Sequence, residues 1–140
     1  MYGAWLDHRQ GFAVLDAGSA VTVDYVDRHG QHLGGYILPG LQMMLRSLRT
    51  DAARIWFDPD QGLATDPGKS TGECVNHGLA WLSAAMIERV IADARKLSLS
   101  EILVTGGDAD RLIGLGLPGI SRPDLVLSGL RAIHAEETSG

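Results

Sequence analysis

Three strand-like segments crowd into the first 38 residues, Phe12–Leu15, Ala20–Val26 and Gln31–Leu38, with joints too short to hold a helix. Phe12-Ala13-Val14-Leu15 is apolar enough for a buried strand, whereas Val21-Thr22-Val23-Asp24-Tyr25-Val26 alternates. Asp27-Arg28-His29-Gly30 is a hairpin turn with glycine at its exit, so the chain opens with three antiparallel strands. Pro39-Gly40 ends the third, and Leu41, Met44, Leu45 and Leu48 then recur at helical spacing to near Arg49. Met1–His8 reads as the end of a helix and Ala53–Phe57 as a short edge strand.

From Asp58 to Lys69, two prolines, two glycines and three aspartates make a long loop, the kind that is often functional or mobile. A long helix starts at Ser70 or Thr71; either residue can cap it, and Glu73 can close the capping box. Its apolar stripe reads Val75, Leu79, Leu82, Met86, Val90, Ala94 and Leu97. Glu101–Thr105 is a strand that ends in Gly106-Gly107, Asp110–Leu115 is a short helix, and a last helix runs from Pro123 to His134 before a frayed tail. The order predicts one α/β domain over residues 1–140, a mixed sheet covered by helices, with ligands where strands end in glycine turns.

Composition narrows the function classes. With 45% hydrophobic and 21% charged residues, 140 residues can build one real core. A net charge of -5 with scattered Lys and Arg argues against nucleic acid or an anionic membrane surface. Cys74 is the only cysteine, which excludes an internal disulfide and a multi-cysteine zinc site; its place on a helix suggests a small buried thiol. The expectation is a cytoplasmic protein with no membrane span. The five histidines have no ligand spacing, and His77 reads as a packed or surface side chain.

The joint at Asp16-Ala17-Gly18-Ser19 carries the most chemistry. Gly18 lets a ligand approach the backbone, and the amides of Gly18, Ser19 and Ala20 could meet an anion such as phosphate. Ser19 and Thr22 add hydroxyls, and Asp16 could hold a cation that accompanies the anion. Gly34-Gly35 inside a strand marks a close backbone approach, and Thr105-Gly106-Gly107 offers bare backbone to a flat group such as adenine.

Together, Asp16-Ala17-Gly18-Ser19-Ala20-Val21-Thr22, Gly34-Gly35-x-Ile37-x-Pro39-Gly40, Ser70-Thr71 and Thr105-Gly106-Gly107 resemble the second half of a type III pantothenate kinase, the Bvg accessory factor family. Ser19 stands where that family's motif has threonine, which keeps the hydroxyl. The resemblance implies an actin/Hsp70/sugar-kinase-like (ribonuclease H-like) fold and ATP-dependent phosphorylation of pantothenate, the first step of coenzyme A synthesis. It implies Mg2+, a monovalent cation (K+ or NH4+) and a homodimer. By position, Asp16 would hold the monovalent cation, Gly18 and Ser19 would meet ATP phosphate, Gly106 and Gly107 would lie beside the adenosine, and Thr71 would bond pantothenate across the dimer.

Two motifs of that family's first half, Asp-x-Gly-Asn-Thr and Gly-x-Asp-Arg with its general base, do not occur in the sequence. Asp110-Arg111 and Asp27-Arg28 read as solvated turns, so no residue is assigned as catalytic. Phosphoryl transfer needs several parts at once. The expectation is therefore a truncated kinase without its N-terminal domain, inactive alone, whose first half a separate chain could supply. The alternatives are a non-catalytic dimerisation or regulatory domain of the same fold and, more remotely, another sugar-kinase-type enzyme.

Overall fold

The computed structural model describes residues 11–50 and 62–121. Among them the elements follow as β1 (Phe12–Ala17), β2 (Ala20–Val26), β3 (His32–Pro39), α1 (Leu41–Thr50), α2 (Thr71–Lys96), β4 (Glu101–Thr105), α3 (Ala109–Gly114) and β5 (Ile120–Ser121). The helices expected at Met1–His8 and Pro123–His134, the strand at Ala53–Phe57, the start of the long loop and the tail lie outside the described residues.

The sheet order is β3-β2-β1-β4-β5. β1 pairs antiparallel with β2 and parallel with β4, β2 pairs antiparallel with β3, and β4 pairs parallel with β5. This is the expected mixed sheet. The central position of β1 explains its composition: a strand buried on both faces reads as a continuous apolar run. Ala13, Leu15 and Ala17 pack with Val21, Val23, Ile102 and Val104 against Ile87, Val90, Ala109 and Leu112 of α2 and α3. On the other face Phe12, Val14, Val26 and Leu103 are each 2% exposed or less. Each such large side chain contributes roughly 1.5–3 kcal/mol by leaving water. β1 runs two residues beyond its expected end because Asp16, a turn residue by type, stays in the ladder opposite Thr22 and Thr105.

β3 is an edge strand, and Tyr36 and Ile37 on it are exposed. Of its Gly34-Gly35 only Gly35 marks a close approach, and the partner is β2; Gly34 has nothing near it and a left-handed φ of +125°. A Cβ on Gly35 would come within 2.0 Å of the Val23 carbonyl oxygen and 3.0 Å of Asp24 Oδ1. The space admits the buried Asp24 carboxylate, whose Oδ1 lies 2.7 Å from His32 Nε2.

α2 spans 26 residues, about 39 Å at the usual rise. Ser70 caps it: its Oγ accepts the Glu73 amide at 3.2 Å, while Glu73 Oε1 accepts the Lys69 amide at 2.9 Å. The buried stripe is Asn76, Leu79, Ala80, Ser83, Ile87, Val90 and Ala94. It shares Leu79, Val90 and Ala94 with the expected stripe, yet Leu82 is 47% and Leu97 39% exposed. The rotation brings Asn76 and Ser83 inward, which an apolar template overlooks because buried polar groups survive only with partners. Cys74 is exposed rather than buried, since it lies off the inward stripe of α2; its Sγ donates to the Gly68 carbonyl at 3.4 Å. His77 ties the same loop down, with Nδ1 2.8 Å from the Asp66 carbonyl oxygen. No helix among the described residues is long and apolar enough to cross a membrane.

Candidate functional site

β1 and β4 are parallel neighbours, so the turns that follow them open at the same end of the sheet. The β1–β2 turn is Gly18-Ser19 and the β4–α3 turn is Gly106-Gly107-Asp108. The Asp108 amide donates to the Ala17 carbonyl at 2.9 Å, and the Gly40 amide donates to the Ser19 carbonyl at 2.9 Å. Three chain segments therefore meet at Ala17–Ser19.

The glycines there have opposite reasons for being glycine. Gly106 has φ +97°, and a Cβ on it would sit 2.5 Å from the Ala17 carbonyl oxygen. A Cβ on Gly40 would lie 2.3 Å from the Gly18 carbonyl oxygen. Both are demanded by internal packing. Gly18 is not: its Cβ would meet only the Ala20 carbonyl oxygen at 3.8 Å, and Gly107 faces open space. Neither has a φ in the left-handed region, and both are exposed. The fold itself gives no cause for glycine at these two positions.

Of the three amides expected to meet an anion, one is already engaged within the turn. The Gly18 amide is not available to a ligand, because it donates to the Ala20 carbonyl at 3.0 Å in closing the turn. Ser19 is exposed, and among the described residues its hydroxyl has no protein partner. Asp16 is half-buried and shares a row and a face with Thr22 on β2 and Thr105 on β4. Thr22 Oγ1 is shut off from solvent with no hydrogen-bond partner among the described residues. A buried hydroxyl of this kind costs about 1–3 kcal/mol unless something answers it.

Thr71 stands apart from this cluster. It is exposed at the head of α2 and lines a cavity of about 730 Å³ with Leu48, Lys69, Cys74, Val75 and Gly78. None of Asp16, Gly18, Ser19, Gly106 or Gly107 lines that cavity. A second cavity, about 510 Å³, lies between β2, β3 and the helices, walled mainly by apolar side chains such as Val23, Leu38, Met44 and Met86. At one side of it the Tyr25 hydroxyl donates to Asp93 Oδ2 at 2.9 Å. Burial and the Asp93 carboxylate hold that phenol well above the usual tyrosine range.

One residue dismissed on sequence proves otherwise placed. Arg111 is not in a solvated turn: its side chain is 11% exposed, and Nε and Nη2 grip the Asp108 carboxylate at 2.9–3.0 Å. Nη2 also donates to Ser83 Oγ on α2 at 3.0 Å. The signal in the sequence was the Asp-x-x-Arg spacing, which puts the pair on one helical face. Asp27-Arg28 is a turn as expected, with Asp27 Oδ1 accepting the amides of His29 and Gln31 at 2.9 Å each.

The family profile of type III pantothenate kinase matches residues 1–93. A type III pantothenate kinase from Marinobacter nauticus is 59% identical over 133 residues, which is 95% of this chain and 55% of the relative. One from Alcanivorax borkumensis is 40% identical over 143 residues, 95% of this chain and 58% of the relative. A crystal structure of a Campylobacter jejuni protein described as a Baf family transcriptional activator is similar at TM-score 0.64 and 25% identity, covering 94% of this chain and 60% of that one. The chain spans a little over half the length of the curated relatives it matches. With the profile covering about two thirds of its residues, the chain belongs to the type III pantothenate kinase family.

Proposed function

We propose that this chain carries the nucleotide and monovalent-cation side of an ATP-dependent pantothenate kinase site, and that it is inactive alone. The observation that carries the reading is the pair Gly18 and Gly107. They sit on adjacent turns with open space in front of each, where an outside group explains glycine and the fold does not. Ser19 beside them has an exposed hydroxyl for a phosphate oxygen, and the bare backbone of Gly106-Gly107 suits a flat adenosine. The β3-β2-β1-β4-β5 sheet, with its ligand end at the β1–β2 turn, supports the actin and sugar-kinase-like assignment of the fold.

Asp16 and Thr22 fit a monovalent cation: one carboxylate and one buried hydroxyl that lacks a partner among the described residues, in one row of the sheet. Such an ion, with Mg2+ on the nucleotide, supplies positive charge against the phosphates. The motif that holds the base for the pantothenate hydroxyl in the family is not in the sequence, and no residue of this chain is assigned that role. A partner carrying that motif would complete the site. Thr71 would reach pantothenate from a second copy, and the exposed Trp81, Leu82 and Ile37 support a homodimer.

ADP release by the purified chain, with pantothenate, ATP, Mg2+ and K+ present, tests this reading. The expected result is background turnover together with measurable ATP binding. Clear turnover would overturn the inactivity, and absence of ATP binding would overturn the nucleotide assignment.

A further inference from the structure

The geometry points to Arg111 as a positioning residue that holds the Gly106-Gly107 turn against the Gly18-Ser19 turn and so sets nucleotide affinity. The second half of this inference rests on the nucleotide reading above.

Asp108 occupies the N-cap position of α3, where an aspartate ordinarily accepts a helix amide. Here its side chain makes no capping bond. Its carboxylate is turned instead onto Arg111, the Nε–Nη2 edge of the guanidinium meeting both oxygens at 2.9–3.0 Å. Charge-assisted, forked contacts of this kind are short and directional. The guanidinium is in turn anchored on Ser83, a 6% exposed residue in the middle of α2. Asp108 then passes the constraint to the sheet through its own amide, which bonds the Ala17 carbonyl at 2.9 Å. Ala17 is the residue before Gly18. A continuous path of hydrogen bonds thus runs from the long helix through Arg111 and Asp108 to the β1–β2 turn. The pair forgoes a cap and ties a turn, which is the arrangement expected if turn position matters more than the stability of a six-residue helix. Lysine would replace arginine only in part, because one ammonium can pair with Asp108 but cannot also span to Ser83 with planar geometry.

The test compares the 140-residue chain with Arg111→Ala, Arg111→Lys, Ser83→Ala and, as a control, the exposed hairpin variant Arg28→Ala. Two readouts are taken below the unfolding range: amide hydrogen exchange at Asp108 and Leu103, and titration with ATP in Mg2+. Arg111→Ala is expected to speed exchange at Asp108 by at least about tenfold, with Leu103 unchanged. ATP affinity should fall about fivefold, with Arg111→Lys recovering part of the loss and Arg28→Ala moving neither. Should Arg111→Ala not fold, Ser83→Ala must show the same effects in smaller measure. Unchanged exchange at Asp108, or faster exchange with unaltered ATP affinity, would overturn the inference. If the unmodified chain binds no ATP, the nucleotide reading fails by itself, and the exchange comparison alone decides whether Arg111 holds the turn.

Discussion

The glycine-turn end of the sheet and the head of α2 both carry residues expected to meet substrates, yet they are built by different means. At the sheet end, position is fixed by backbone on backbone: the amides of Asp108 and Gly40 bond the carbonyls of Ala17 and Ser19, and Gly106 and Gly40 admit no side chain. At the head of α2, position is fixed by side chains: Ser70 caps, Glu73 reaches back, and Cys74 and His77 bond the preceding loop. The first design is rigid and intolerant, whereas the second can lose one contact and keep the others. A rigid rim with two spare glycines suits a ligand held by its phosphates and ring, and a side-chain rim suits one chosen by a hydroxyl.

The widest gap between the two regions should appear in stability. Gly106→Ala is expected to cost about 3 kcal/mol, from a left-handed φ and overlap with Ala17, while Gly107→Ala stays within about 0.5 kcal/mol. Urea unfolding of the two variants measures this, and equal costs would break the contrast. Ligand affinity should invert the ranking among the glycines. Gly107→Ala is expected to weaken ATP binding about tenfold, or about 1.4 kcal/mol, with stability intact. At the head of α2, Ser70→Ala should cost about 1 kcal/mol through the lost cap, and Thr71→Ala should leave both stability and ATP affinity where they are.

The smallest effect concerns pH. The folded state holds the Tyr25 phenol above its ordinary value, so its contribution is complete below about pH 10 and is lost as pH rises beyond that toward the folded value. Tyr25→Phe should flatten that part of an alkaline unfolding profile, and an identical profile would assign the loss to other groups.

Much of this architecture was legible in the sequence where one force dominates. Ala20–Val26 and Glu101–Thr105 form strands with the expected bounds because alternation or a short apolar run leaves one choice. The buried face of α2 was harder to read, since Asn76 and Ser83 are inward only because the tertiary fold supplies partners such as Arg111. At the site, the glycine motifs were visible but their division of labour was not. Gly106 and Gly107 are adjacent letters, and only the position of Ala17 separates a packing glycine from an open one. For Arg111 the spacing to Asp108 was legible but the anchor was not, because it is a serine 28 positions away.

The central claim is that the turns at Gly18-Ser19 and Gly106-Gly107 form one nucleotide half-site. Calorimetric titration of the 140-residue chain with ATP in Mg2+ and K+, repeated with Gly18→Ala, tests it most directly. The account predicts saturable binding that weakens about tenfold in the variant at unchanged stability. No saturable binding by the unmodified chain, or equal affinity for both, would contradict it.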